Sequence, residues 1–204
     1  MARLHLPSVD ELTAEQRRIH DDVVSGPRGQ LIGPLRAVIH SPELAARWSR
    51  LGEFLRYSTC LPAKLNELAI IVAGRHWNSQ LEFLIHADAA IAAGLGAACV
   101  EAIRLGDAPV FQDAAEGEVY EYARGLLQAG AVSDDAHAAI AARWGEQGAV
   151  ELTGVIGYYT MVCFTLNAHQ IPLPQGAKPP LPTVQAGPTL LPPCRYASEE
   201  ALQR

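Results

Sequence analysis

The sequence predicts an all-α protein, on three observations. Alanine is abundant along the chain while only 6% of residues are aromatic, a composition that favours packed helices over sheet. Apolar residues recur at helical spacing in one segment after another. Glycine and proline gather at the breaks between those segments and toward the C-terminal end, where they stop helices. A chain of 204 residues, 49% hydrophobic and 19% charged, is expected to fold as one domain around one substantial core.

The first helix is signalled by Ser8-Val9-Asp10-Glu11, a capping-box pattern, or by Thr13 as a later cap, and runs to about Val24. "SGPRGQLIGP" breaks it. Ser41-Pro42-Glu43 offers a cap followed by proline at the first helical position, and Leu44, Trp48, Leu51, Phe54 and Leu55 continue at helical spacing to Tyr57. "LNELAIIVAGRHW" is apolar on nearly every face, which marks a helix buried on all sides, and it contains Glu67. Asn78-Ser79 restarts the chain as "QLEFLIHADAAIAAG", ended by Gly94, and the shorter "AACVEAIRLG" follows. Asp113 to Gln128 is amphipathic, Ser133 caps a helix to about Trp144, and "AVELTGVIGYYTMVCFTLNAHQI" is the last long apolar segment. From Pro172 eight prolines rule out regular structure. Residues 1–171 are thus expected to form the domain and 172–204 an extended arm. Glu67 with His86 and Glu151 with His169 also echo one another at nearly equal spacing, which raises a duplicated helical unit against coincidence among alanine- and leucine-rich helices.

Several functions are excluded. The net charge is −6 and the cations are scattered, so there is no basic stripe for a phosphate backbone. No apolar run approaches the roughly 20 residues of a membrane span, and the N-terminal segment turns polar too early for a signal peptide; the cytoplasm is the expected compartment. Cys60, Cys99, Cys163 and Cys194 form neither a CxxC nor a cluster, so no zinc site or dithiol motif is written locally.

The segment that carries chemistry is "NSQLEFLIHADAA". On a helix Glu82 and His86 share a face, with Cβ atoms about 6 Å apart, and are able to share a proton or grip a ligand. Two readings compete. Ser79-Gln80-Leu81-Glu82 is also a capping box, in which Glu82 only reaches back to a free backbone N–H. His86, however, sits among apolar neighbours and needs a buried partner, for which Glu82 and Glu67 are the candidates. Two acids around one histidine pull their pKa values apart and prepare proton transfer; a histidine satisfied in the core is the structural alternative. Metal binding lacks a third ligand at a recognised spacing, and Ser79 lacks the glycine-flanked elbow of a nucleophile.

"LPAKLNELAIIVAGRHWNSQLEFLIHADAAIAAGLGAACVEAI" resembles the carboxymuconolactone decarboxylase and alkylhydroperoxidase D family. The pattern is an acid in a buried helix, then a histidine followed by A-x-x-A-G-L and a short E-A-I helix. The resemblance implies an alkylhydroperoxidase D-like helical bundle. The peroxidase branch uses a glutamate, a Cys-x-x-Cys pair and a histidine; here these fall on Glu67, on Ser79 and Glu82, and on His86, so the redox pair is absent. The decarboxylase branch carries Glu-x-x-x-His, which Glu82 and His86 reproduce, and removes CO2 from a carboxylated muconolactone in aromatic-ring catabolism without metal or organic cofactor. That implies a cofactor-free lyase acting on a small carboxylate or lactone. His86 is then the general acid or base, Glu82 tunes it and Glu67 holds the far side. The proline-rich arm departs from the decarboxylase pattern, whose members are shorter. Ser79, Arg75, His76, Tyr158, Tyr159 and His169 are candidates to meet substrate, with helix capping or packing as the structural reading. An isomerase or hydratase, or a structural member of the same fold, are the alternatives. The surplus of apolar helix surface predicts a homo-oligomer, for which the resemblance implies a trimer or hexamer, with the arm across a neighbour or as a free tail.

Overall fold

A computed structural model describes residues 2–183 and 187–197. Among them the chain forms helices α1 (Ala14–Ser25), α2 (Leu35–Val38), α3 (Pro42–Tyr57), α4 (Ala63–His76), α5 (Gln80–Ala92), α6 (Ala97–Leu105), α7 (Ala114–Ala129) and α8 (Asp134–His169). The strands β1 (Val110–Phe111) and β2 (Arg195–Tyr196) are two residues each and pair in parallel. The all-α expectation holds.

The bundle is built around α4, in which every residue from Leu65 to His76 is buried. A helix apolar on all faces has no solvent side to offer, so α3, α5, α6, α7 and α8 pack around it. Glu67, Arg75 and His76 go into the interior with it. The longest helix, α8, is interrupted at Gly145, whose left-handed φ of 68° is open to glycine without the Cβ penalty; this is where the sequence ends one helix and begins the next. By length and composition α8 passes as a membrane span, yet half of its most apolar window is buried within the protein, so it serves as a core helix.

Helix starts follow local chemistry. Thr13 Oγ1 accepts the Gln16 N–H at 3.3 Å and Gln16 Oε1 accepts the Thr13 N–H at 3.0 Å, a reciprocal capping box. Of the two N-terminal signals, Thr13 therefore starts α1, and the Ser8–Glu11 box closes only a single 3-10 turn. Asp113 and Ser133 accept backbone N–H groups at the starts of α7 and α8.

The segment after Ile171 is extended, as its prolines dictate, and its described part lies along its own chain. Leu181 and Leu191 are buried. Proline removes a backbone donor but leaves its carbonyl to be satisfied, and side chains of the bundle satisfy several in the arm. Arg104 donates to the Pro180 carbonyl at 2.8 Å, Gln128 to Leu191 at 2.9 Å and Tyr120 to Pro192 at 2.8 Å. Residues 184–186 and 198–204 of the arm lie outside the described residues.

Candidate active site

His86 enters the core in the second turn of α5, 4% exposed, between two carboxylates. Its Nδ1–H donates to Glu67 Oε2 at 2.5 Å, across the α4–α5 contact. Its Nε2 lies 3.0 Å from Glu82 Oε1, one turn back on its own helix. This second contact is a close ion pair without hydrogen-bond alignment, since Glu82 Oε1 is a buried oxygen with no hydrogen-bond partner among the described residues. The capping-box reading of Ser79 and Glu82 does not hold: Ser79 occupies the N-cap position, but its hydroxyl accepts no backbone N–H there. Glu82 turns to the imidazole.

Arg56, in the last turn of α3, donates from Nε to Glu67 Oε1 at 3.4 Å, so Glu67 has a cation on each oxygen. Burial works to raise its pKa, but hydrogen bonding and charge from His86, with Arg56 behind, outweigh burial and hold it below the ordinary carboxylate range. For His86 burial opposes protonation, while the Glu82 charge and the hydrogen bond to Glu67 more than reverse it, and its pKa is raised to about 9. The imidazole is therefore an imidazolium at neutral pH, ready to give a proton and not to take one.

Tyr159 of α8 stands edge-on to the His86 ring, with centroids 5.2 Å apart, and Tyr158 packs edge-on against Tyr159 at 5.3 Å. Tyr158 donates its hydroxyl to the Trp48 carbonyl at 3.3 Å. Burial pushes both phenols up and keeps them neutral. These groups line a chamber of about 40 Å³ together with Arg28, from the α1–α2 connection. A wider cleft of about 820 Å³ beside Ser79 and Asn167 offers no acid–base pair.

Of the residues singled out in the sequence, Glu67, Glu82, His86, Tyr158 and Tyr159 come together. Arg75, His76 and His169 do not. Arg75 donates to Asn78 Oδ1 and, at 2.6 Å, to Thr189 Oγ1. His76 Nδ1–H donates to the Thr189 carbonyl at 2.9 Å, while the His76 carbonyl accepts the Thr189 N–H at 2.7 Å. Both hold the arm, and burial lowers the pKa of His76. His169 ends α8, about 15 Å along the helix axis from Tyr159, so it cannot reach the chamber. Ser79 is fully buried, its hydroxyl unpartnered among the described residues, and it is not among the chamber's lining residues. The echoed pair makes no second site. Glu151 accepts the Cys60 N–H at 2.6 Å and a Gln147 amide N–H at 2.8 Å, and His169 lies about 27 Å farther along the same helix.

Sequence reasoning missed Arg28 and Arg56. Arg56 read as an ordinary polar position of an amphipathic helix, and Arg28 as part of a glycine–proline break. Neither carries a periodic signal; only the packing of α3 against α4 and α8, and the path of the first connection, bring them in.

No family model matches the sequence, and no curated protein matches it. Solved structures do. An uncharacterized peroxidase-related protein from Ralstonia eutropha JMP134, described as an alkylhydroperoxidase AhpD core, superposes with a TM-score of 0.69 over 85% of this chain and 93% of that one, at 10% identity. The chain has the alkylhydroperoxidase D fold. A peroxidase-related protein from Silicibacter sp. TM1040 shares this AhpD-like fold with a TM-score of 0.69, over 85% of this chain and 92% of that one, at 15% identity. A debrominase solved in complex with 2,3,4-tribromopyrrole shares it with a TM-score of 0.64, over 86% and 95%, at 12% identity. The resemblance seen in the sequence is thus met at the level of fold.

Proposed function

We propose that this protein is a cofactor-free carboxy-lyase that uses the Glu82–His86 pair to protonate carbon as CO2 leaves a small carboxylated lactone or a related intermediate of aromatic catabolism. The observation that carries this reading is the imidazolium clamped between Glu67 and Glu82, with an unpartnered Glu82 oxygen at a chamber. In the reaction the bond between the carbon and the departing carboxylate breaks. Its electron pair enters the conjugated carbonyl of the lactone. A small rotation that aligns Glu82 Oε1 with the His86 Nε2–H, 3.0 Å away, lets Glu82 take that proton and deliver it to carbon, and solvent returns one proton to His86. Glu67 and Arg56 fix the imidazole, and the neutral phenols of Tyr158 and Tyr159 exclude water around it.

Thiol peroxidase chemistry is disfavoured. Ser79 and Glu82 stand where a dithiol would be, and the four cysteines are free. Burial, aided by a neighbouring carboxylate, raises the pKa of each thiol, which opposes the thiolate such chemistry needs. The deciding experiment is a screen of carboxylated lactones for CO2 release in D2O. Release with one deuterium placed on carbon, lost in His86→Gln, is expected. Deuterium exchange without CO2 would assign an isomerase using the same pair, and neither event with any substrate would leave a structural member of the fold.

We also propose that the chain assembles with copies of itself, as a trimer or hexamer. Val150, Met161 and Phe164 form an exposed apolar face on α8, and Leu51, Phe54 and Tyr57 an exposed face on the neighbouring α3. Contiguous apolar surface of this kind marks association sites. Sedimentation should give a mass well above the 21.9 kDa chain, reduced by Met161→Asp; a wild-type monomer at micromolar concentration overturns it.

A further inference from the structure

We propose that Arg28 binds a carboxylate that the reaction leaves in place, and that the substrate carries this carboxylate on an apolar body. The inference rests on the acid–base reading above and adds to it the feature that selects the substrate.

Arg28 Nε and Nη2 are buried nitrogen atoms with no well-aligned hydrogen-bond partner among the described residues; the Tyr158 hydroxyl beside them is a neutral acceptor that already gives its own proton to the Trp48 carbonyl. Guanidinium donors removed from water carry a desolvation cost that a partner must offset. Nor is their position incidental. Gly52 of α3 makes the slot: a Cβ there would lie 2.5 Å from Arg28 Nη2 and 2.0 Å from Tyr158 Oη. A side chain there would have to push the ends of both groups aside, so Gly52 leaves the guanidinium its place at the chamber. At formal charge the lining sets Glu82 against Arg28, Arg56 and the His86 imidazolium, and with Glu67 behind the ring one positive charge is left for a ligand to balance. A planar fork of N–H donors suits a carboxylate. Gripping the departing carboxylate would stabilise the ground state against its own loss, so Arg28 holds one that stays.

The body follows from volume. A chamber of about 40 Å³ is far below the roughly 300 Å³ at which ordinary small-molecule sites begin, so it takes one small group such as a carboxylate and leaves the rest of a substrate outside. Against it lies a second cavity of about 500 Å³, and the two share Ile32, Gly33 and Ile85 as lining. That outer cavity is within the usual range for small-molecule sites, and Leu81, Ile171 and Leu173 make it mainly apolar. One cation, Arg36, also lines it, so it is the competing anchor.

Calorimetric titration of the full chain at pH 7 with benzoate, acetate and benzamide tests the assignment. Benzoate should bind about 10- to 100-fold more tightly than either comparison compound. Arg28→Gln should remove that advantage and Arg36→Gln should not. Arg28→Lys, which keeps the charge and loses the fork, should give an intermediate loss and serves if the glutamine variant misfolds. Equal binding of acetate and benzoate, an unaffected Arg28→Gln, or a loss that follows Arg36 overturns the proposal. Binding needs no turnover, so the two readings fail separately. A chain that binds benzoate through Arg28 and releases no CO2 defeats only the lyase; CO2 release indifferent to Arg28 defeats only the clamp.

Discussion

Glu82→Gln is expected to lower the rate constant for CO2 release by about 100- to 10,000-fold, the usual contribution of a positioned proton donor, while the helices remain. The substitution removes the carboxylate that hands over the proton, and it also removes the largest influence holding His86 protonated. Both effects fall on the chemical step. Gln keeps the shape and the polarity, and Glu67 still anchors Nδ1, so the ring does not lose its place. Single-turnover measurement should show the loss in kcat, with substrate affinity set elsewhere. In parallel the NMR titration midpoint of His86 should fall from about 9 toward its ordinary 6.5. A variant that weakens only KM, or that leaves the His86 midpoint unmoved, would remove Glu82 from the proton path.

Much of the fold was legible because helical periodicity and caps are local. "LNELAIIVAGRHW" predicted a helix buried on all faces, and α4 is one; Gly94, Asp113 and Ser133 marked boundaries that the structure keeps within a residue or two. The acid–base pair was half legible. Spacing placed Glu82 and His86 on one face, but spacing fits a capping box equally well, and the choice depends on which way one side chain turns. The Ser79 hydroxyl that caps nothing decides it, while Glu67, which burial alone had offered as a partner from another helix, does reach His86 Nδ1 and leaves Nε2 to face Glu82. The arm shows the same limit. Its prolines dictate an extended chain, yet where that chain lies depends on Arg75, His76, Gln80 and Arg104, residues 70 or more positions away. Arg28 is the extreme case, since a break between helices gives no face and no period by which a side chain could be assigned.

Stability should fall as pH rises from about 6.5 to 9, and His86 should account for the fall. The group has a pKa of about 9 in the folded protein against an ordinary 6.5. Its folded value is the higher one, so folding takes up a proton between those limits. The stabilisation is fully present below 6.5 and lost as pH passes through 9, on the order of 3 kcal/mol in all. Among the described residues, the other groups with shifted pKa values act outside this window. Glu67 of α4 has its folded pKa lowered from 4.5 and acts only at acid pH. His76 has its pKa lowered from 6.5, so its effect lies below the window and has the opposite sign. Tyr159, facing the ring from α8, and the four cysteines have pKa values raised from ordinary values of 9 or above, so they act beyond its upper edge. Arg56, whose pKa its acidic neighbours raise against burial, stays charged throughout. Urea unfolding at pH 6.5 and pH 9 should therefore differ by about that amount in the wild type and by much less in His86→Gln. Should that variant fail to fold, a histidine resonance titrating near 9 in the wild type carries the same information. Identical pH dependence in both chains, or no histidine with a raised midpoint, would show that the imidazole sits neutral between its two carboxylates.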